Sequence, residues 1–259
     1  MELGLQIIFI GCLVGASSYF VSHVATIWKD FKLYAEGAQE DRRDQWSKRI
    51  QNMVLGGLLQ KTMFKEPVSA IMHAVIFWGF LVVSIGTLDT FMEGAFRGIG
   101  FEKIFGRGAL FKAYIWSQDV ANALVAIAVL FAICRRVAFP PKRFKGLTTA
   151  SKADAYIVLG LILGLVLTSL LYMGIGSLTI FDDSGTRGSY YFSNLLASLL
   201  LGDTGEAVKN AAAHGVWWAH CAILFSFMIY LPSSKHQHFI WVWPNLFFKS
   251  LASTGRISP

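Results

Sequence analysis

Long apolar stretches alternate with short polar ones along the whole chain, and five of them run past 20 residues: roughly 4–27, 68–92, 113–134, 153–176 and 211–233. At 1.5 Å per residue each is long enough to cross a hydrocarbon layer about 30 Å thick. The pattern predicts an all-α membrane protein, a bundle of five transmembrane helices forming a single domain over residues 1–259. A sixth apolar run, 190–201, is too short to span and is expected in the membrane interface. The first span has no positively charged start and no small-residue cleavage site, so it reads as a retained helix, not a signal peptide.

The polar connections set the expected orientation. Connections 28–67 and 135–152, with the tail after 233, carry 17 of the 23 Lys and Arg residues. By the positive-inside rule these lie in the cytoplasm, with the N-terminus outside and the C-terminus inside. Within the first connection, residues 40–60 read as an amphipathic helix on the membrane surface. Pro67 is expected to open the second span. Pro140 and Pro141 should keep the third connection irregular, and Gly185 and Gly188 should form turns in the loop before residue 190.

Composition narrows the class. Hydrophobic residues make up 54% of the 259 and charged residues only 15%, against about 25% in a soluble domain. The net charge of +7 suits anionic lipid or an acidic protein partner, and nothing in it calls for nucleic acid. Cys12, Cys134 and Cys221 are far apart and form neither an iron–sulfur ligand set nor a CxxCH haem attachment, so they are expected to be inert core residues. The chain shows no internal repeat of the kind that builds many transporters.

Histidines carry the candidate chemistry. His23 and His73 lie near the inner ends of spans one and two. His214 and His220 fall in the outer part of span five, and His236 and His238 follow its inner end. Ionisable groups in a membrane are costly enough to presume function. Two neutral imidazoles on different helices at one depth can ligate haem iron. His73 qualifies as one ligand, with Gly79 nearby as a small residue to admit a macrocycle. His220 and His238 are 18 residues apart, five whole turns, so a continued helix would set both on one face about 27 Å apart. His214 and His220 cannot share a face, nor can His236 and His238. Among other polar groups, Gln118 and Asp119 open span three on the outer side, where Asp89 and Glu93 close span two. A quinone headgroup or interface anchoring would each account for these four. Arg135, Arg136 and Lys235 cluster on the inner face. Trp217, Trp218, Trp241 and Trp243 read as belt residues.

The stretch "HCAILFSFMIYLPSSKHQHFIWVWPNLFF" (220–248) resembles the gamma subunit of respiratory nitrate reductase, a five-helix di-haem b quinol oxidase subunit. The shared pattern is His220, Pro232, Ser234, Lys235 and His238, followed by Trp241 and Pro244, together with His73 on helix two. The segment from Arg135 to Leu171 matches as well. The motifs "HAVIFWGFL" with Gly86-Thr87, and "YLPSSKHQH", are closer still to the membrane domain of heterodisulfide-reductase-like iron–sulfur oxidoreductases of the electron-transfer-flavoprotein:menaquinone oxidoreductase type. That resemblance covers nearly the whole chain. It implies haem b, one or two per chain, in the bacterial inner membrane. His73 and His238 would ligate the inner haem and His220 the outer, with His236 and His214 as alternatives. It also implies menaquinone as substrate and a cytoplasmic iron–sulfur subunit or domain as partner, with an electron-transfer flavoprotein as donor. Where the nitrate reductase subunit has a second helix-two histidine, this chain has Val83; either a single haem is bound, or an unusual ligand such as Met92 or Met173 completes the second. The rival expectation is a haem-free anchor that docks a soluble redox protein on its basic loops.

Overall fold

The computed structural model describes residues 3–36, 42–96, 99–140, 144, 146–179 and 186–251. Expectations for Pro141 and Gly185 lie outside them. Among the described residues the structure is helical, without strands: α1 (Leu3–Glu36), α2 (Trp46–Met53), α3 (Pro67–Ala95), α4 (Phe101–Phe105), α5 (Ala109–Ala138), α6 (Thr149–Thr179), α7 (Tyr191–Leu201), α8 (Glu206–Tyr230) and α9 (His238–Phe247).

Five of these, α1, α3, α5, α6 and α8, are long and apolar enough to cross a membrane, each several residues longer than the sequence pattern suggests. Each keeps large apolar side chains exposed, among them Ile7, Ile71, Leu124, Ile127, Ile157 and Ile229. Exposed apolar surface on that scale is unstable in water and natural in lipid. The chain is thus a multi-pass membrane protein.

The five long helices close a ring: α1 packs on α3, α3 on α5, α5 on α6, α6 on α8, and α8 back on α1. Small residues let them approach, as hydrocarbon supplies no hydrophobic drive between helices. Helix α5 buries Ala121, Ala123, Ala126, Ala128 and Ala132, and its Val125 and Val129 meet Val158, Ile162 and Val166 of α6 and Phe227 of α8. Gly79 belongs to this packing. A Cβ built there would lie 2.2 Å from Val125 Cγ2, so the glycine admits α5 and is absent from the central cavity's wall.

Two further elements brace the ends. The short run expected at 190–201 forms α7, which packs on α5 and α6. At Gly174 of α6 a Cβ would lie 2.1 Å from the Ser193 carbonyl oxygen. The amphipathic connection contains α2, a π-helical turn over Val54–Leu58 and a 3₁₀ turn over Lys61–Lys65. Helix α2 packs on α9. Pro67 takes the first helical turn of α3, as expected. Cys221 is buried, whereas Cys12 and Cys134 are exposed on the apolar outer surface, a correction to the expectation that all three are core.

Candidate functional site

Helix α8 does not continue to His238. Pro232 interrupts it, and the chain passes through 3₁₀ turns at Leu231–Ser233 and Lys235–Gln237 before α9 begins at His238. Asp154 of α6 pins this turn, accepting from Tyr230 Oη at 2.6 Å and from the Lys235 amide at 3.1 Å. The Ser234 hydroxyl accepts from the His236 amide at 3.1 Å. The unbroken helix on which His220 and His238 would share a face is therefore absent. The turn instead carries His238 to His73 on α3, with ring centroids 6.2 Å apart.

The central cavity, about 600 Å³, is lined by four of the six histidines: His73, His220, His236 and His238. Apolar side chains from α3, α5, α6 and α8 form most of the rest of its wall. His23 and His214 are not part of it. His23 stacks on Tyr19 at 5.9 Å, and His214 lies exposed on α8.

Hydrogen bonding fixes the free nitrogen on three of the four. His73 Nδ1 lies 3.1 Å from Gln60 Oε1, which can only accept, so Nδ1 carries the proton. His238 Nδ1 is 2.9 Å from the Lys235 carbonyl oxygen and must donate to it. His220 Nδ1 is 2.9 Å from Thr168 Oγ1, whose own proton goes to the Gly164 carbonyl at 2.7 Å. On each ring Nε2 is then the unprotonated lone-pair atom, as in a metal-ligating histidine whose other nitrogen donates to an acceptor. The fourth ring, His236, sits among Phe80, Phe227 and Phe239 and 5.3 Å from His238. Burial, reinforced by its neighbours His238 and His73, pushes it down to about 4, so it is neutral at physiological pH.

The three engaged rings lie at two levels. His73 and His238 share the end of the bundle where Arg136 and Lys235 also line the cavity. A smaller adjoining cavity of about 370 Å³ adds Arg135 and Phe144 to that basic end. His220 lies ten residues before Tyr230, about 15 Å further in at 1.5 Å per residue. Val83 is ten residues along α3 from His73 and lines the cavity too. Met92 and Met173 do not, and Met173 packs beside Phe111, Ile115 and Tyr190.

Asp119, Gln118 and Asp89 at the far end bond to the protein's own structure. Asp119, fully buried, accepts from the Phe192 and Ser193 amides at 2.8 Å each and from the Ser193 hydroxyl, capping α7. Gln118 donates to the Val82 carbonyl at 2.8 Å. Asp89 accepts from the Phe101 amide and Tyr114 Oη. Neither Gln118 nor Asp119 reaches the cavity wall. Helix α5 begins at Ala109, which sets both well inside the helix instead of at its mouth.

Two curated proteins are similar to this chain. Over 227 residues it is 32% identical to a "Probable iron-sulfur-binding oxidoreductase FadF" of Bacillus subtilis (strain 168), covering 86% of this chain and 30% of that protein. Over 232 residues it is 25% identical to an "EtfAB:quinone oxidoreductase" of Syntrophomonas wolfei subsp. wolfei, covering 86% and 31%. The chain thus spans less than a third of the length of these relatives. The matches support kinship with an oxidoreductase family. No protein-family profile matches the chain, and no solved structure does.

Sequence reasoning passed over the residues that hold the histidines. Gln60, Thr168 and Asp154 stand singly in unremarkable contexts, and no local spacing links them to their partners. Asp154 alone offered a signal, as a carboxylate near the start of an apolar span.

Proposed function

We propose that this chain is the haem b part of a quinone-linked oxidoreductase. It would carry electrons between a cytoplasmic iron–sulfur or flavoprotein partner and the menaquinone pool, with its basic end in the cytoplasm and its N-terminus outside. The observation that supports this best is the His73–His238 pair. Two metal–nitrogen bonds of about 2 Å each, plus half an imidazole on either side, separate facing ring centroids by about 6 Å, and the pair stands 6.2 Å apart. Both rings leave Nε2 unprotonated, which is the form that binds iron.

The protein's own residues supply position and environment. His73 and His238 would hold one haem, and the apolar wall of the cavity would exclude water from it. Arg136 and Lys235, which line the cavity at its basic end, would pair with the haem's carboxylates. When bound, the haem supplies one-electron chemistry, and the chain sets its depth and surroundings. His220 and Val83 both line the cavity, but His220 would supply only one imidazole there, which supports one haem in preference to two. The relatives' names, one iron–sulfur-binding and one acting between EtfAB and quinone, support the assignment of partner and substrate.

A dithionite-reduced minus oxidised spectrum of the purified protein tests this. A b-type α-band that disappears in His238→Ala is expected. A featureless spectrum from protein made with haem in excess would overturn it.

A further inference from the structure

Gln60 is buried, only 4% exposed, and yet adopts a left-handed backbone at φ 49° and ψ 31°. That conformation is uncommon for any residue with a side chain, and buried instances concentrate where the surrounding structure holds a residue for a purpose. Gln45 has the same φ but is exposed at the start of α2, where its side chain bonds to its neighbours Asp44 and Lys48. Gln60 follows Leu59, which closes the π-helical turn, and opens the 3₁₀ turn, its carbonyl accepting from the Met63 amide at 2.9 Å. That reversal brings Oε1 to 3.1 Å from His73 Nδ1. Behind it, Gly57 packs on Trp243 and Leu246 of α9, the helix that starts at His238.

We propose that Gln60 is the positioning residue for His73. It fixes the Nδ1–H tautomer, orients the ring toward the cavity and raises the electron density at Nε2. This rests on the haem b assignment above, and the group it acts upon is the His73 ligand, not the substrate. An acceptor on the distal nitrogen makes an imidazole a stronger donor to iron and favours the oxidised metal. Removing the acceptor therefore raises the midpoint potential, and a carboxylate in its place lowers it.

Three variants separate positioning from mere folding. Gln60→Leu removes the acceptor but keeps bulk. Gln60→Gly removes the acceptor while suiting the left-handed backbone better than glutamine does. Gln60→Glu keeps an acceptor and adds charge. The expected order of midpoint potential is Leu and Gly above wild type and Glu below it. Haem should be retained about 10- to 100-fold less tightly in Leu and Gly. A Gln60→Gly protein with wild-type potential and haem retention would overturn the proposal, as would three variants with one common potential.

If the wild type holds no haem, the haem assignment fails on its own account, and nitrogen-15 NMR of histidine-labelled protein decides the positioning. The His73 signal, identified by its loss in His73→Phe, should report Nδ1–H in wild type and a mixture of tautomers in Gln60→Leu. An unchanged tautomer would overturn the proposal.

Discussion

The two ends of the bundle use the polar side chains considered above in different ways. At the far end Asp119, Gln118 and Asp89 spend their hydrogen bonds on the backbone of α7, on α3 and on the start of α4. At the basic end His73 and His238 spend one ring nitrogen each on the protein and keep the other beside a cavity. A buried polar group that is fully bonded stabilises a fold. One that is held in place with a bonding position left over is prepared for a ligand. His220 also bonds through one ring nitrogen and lines the cavity, and among the described residues no second imidazole lines the wall at its level.

The largest expected effect tests that last point. Val83 and His220 both line the cavity at comparable depth, so Val83→His should supply the missing partner. Haem content per chain should rise from one to two, measured as pyridine haemochrome against protein. An unchanged count would mean that the far level lacks room as well as a ligand.

Next comes the brace beneath α9. Buried Arg49 donates from Nη1 to the Phe247 and Lys249 carbonyls at 2.9 and 3.0 Å, and from Nη2 to Asp44 Oδ1 at 2.6 Å. Arg49→Ala leaves the last carbonyl of α9 and that of Lys249 just beyond it without that donor and should cost about 2–4 kcal/mol. Thermal unfolding in detergent measures it. Because His238 starts the same helix, the b-type spectrum should broaden too.

Asp119→Ala provides the contrast. It removes the cap of α7 and should cost about 1–3 kcal/mol in the same unfolding assay, with the haem spectrum unchanged. A spectral change in this variant would break the division between the two ends.

The smallest effect is one of pH. The Arg49 guanidinium holds the Asp44 carboxyl below its usual range, with Gln45 adding a second hydrogen bond. A carboxylate depressed in the folded state contributes stability above its unfolded value of 3.8, and that contribution is lost as pH falls below it. The acid sensitivity of unfolding should therefore be slightly weaker in Asp44→Asn.

The bundle was legible in the sequence because five spans of 20-odd apolar residues admit few other structures. His73, His220 and His238 were legible as candidates because imidazoles are rare in such spans. What could not be read was the geometry that selects among them. An unbroken helix through Pro232 would have carried His238 far past His73; the Asp154-pinned turn is a long-range contact that no local spacing announces. The surroundings of Gln118 and Asp119 were hidden for a related reason. Their polarity suggested a site, while their actual partners, Val82 and Ser193, lie 36 and 74 residues away. Gly79 looked like room for a cofactor, and it is room for Val125.

The most direct test is the haem count of purified wild type beside His73→Ala and His220→Ala. The expected result is one haem b per chain in wild type, none in His73→Ala and one, with an unshifted α-band, in His220→Ala. A wild type without haem, or a haem that depends on His220 and survives loss of His73, would contradict it.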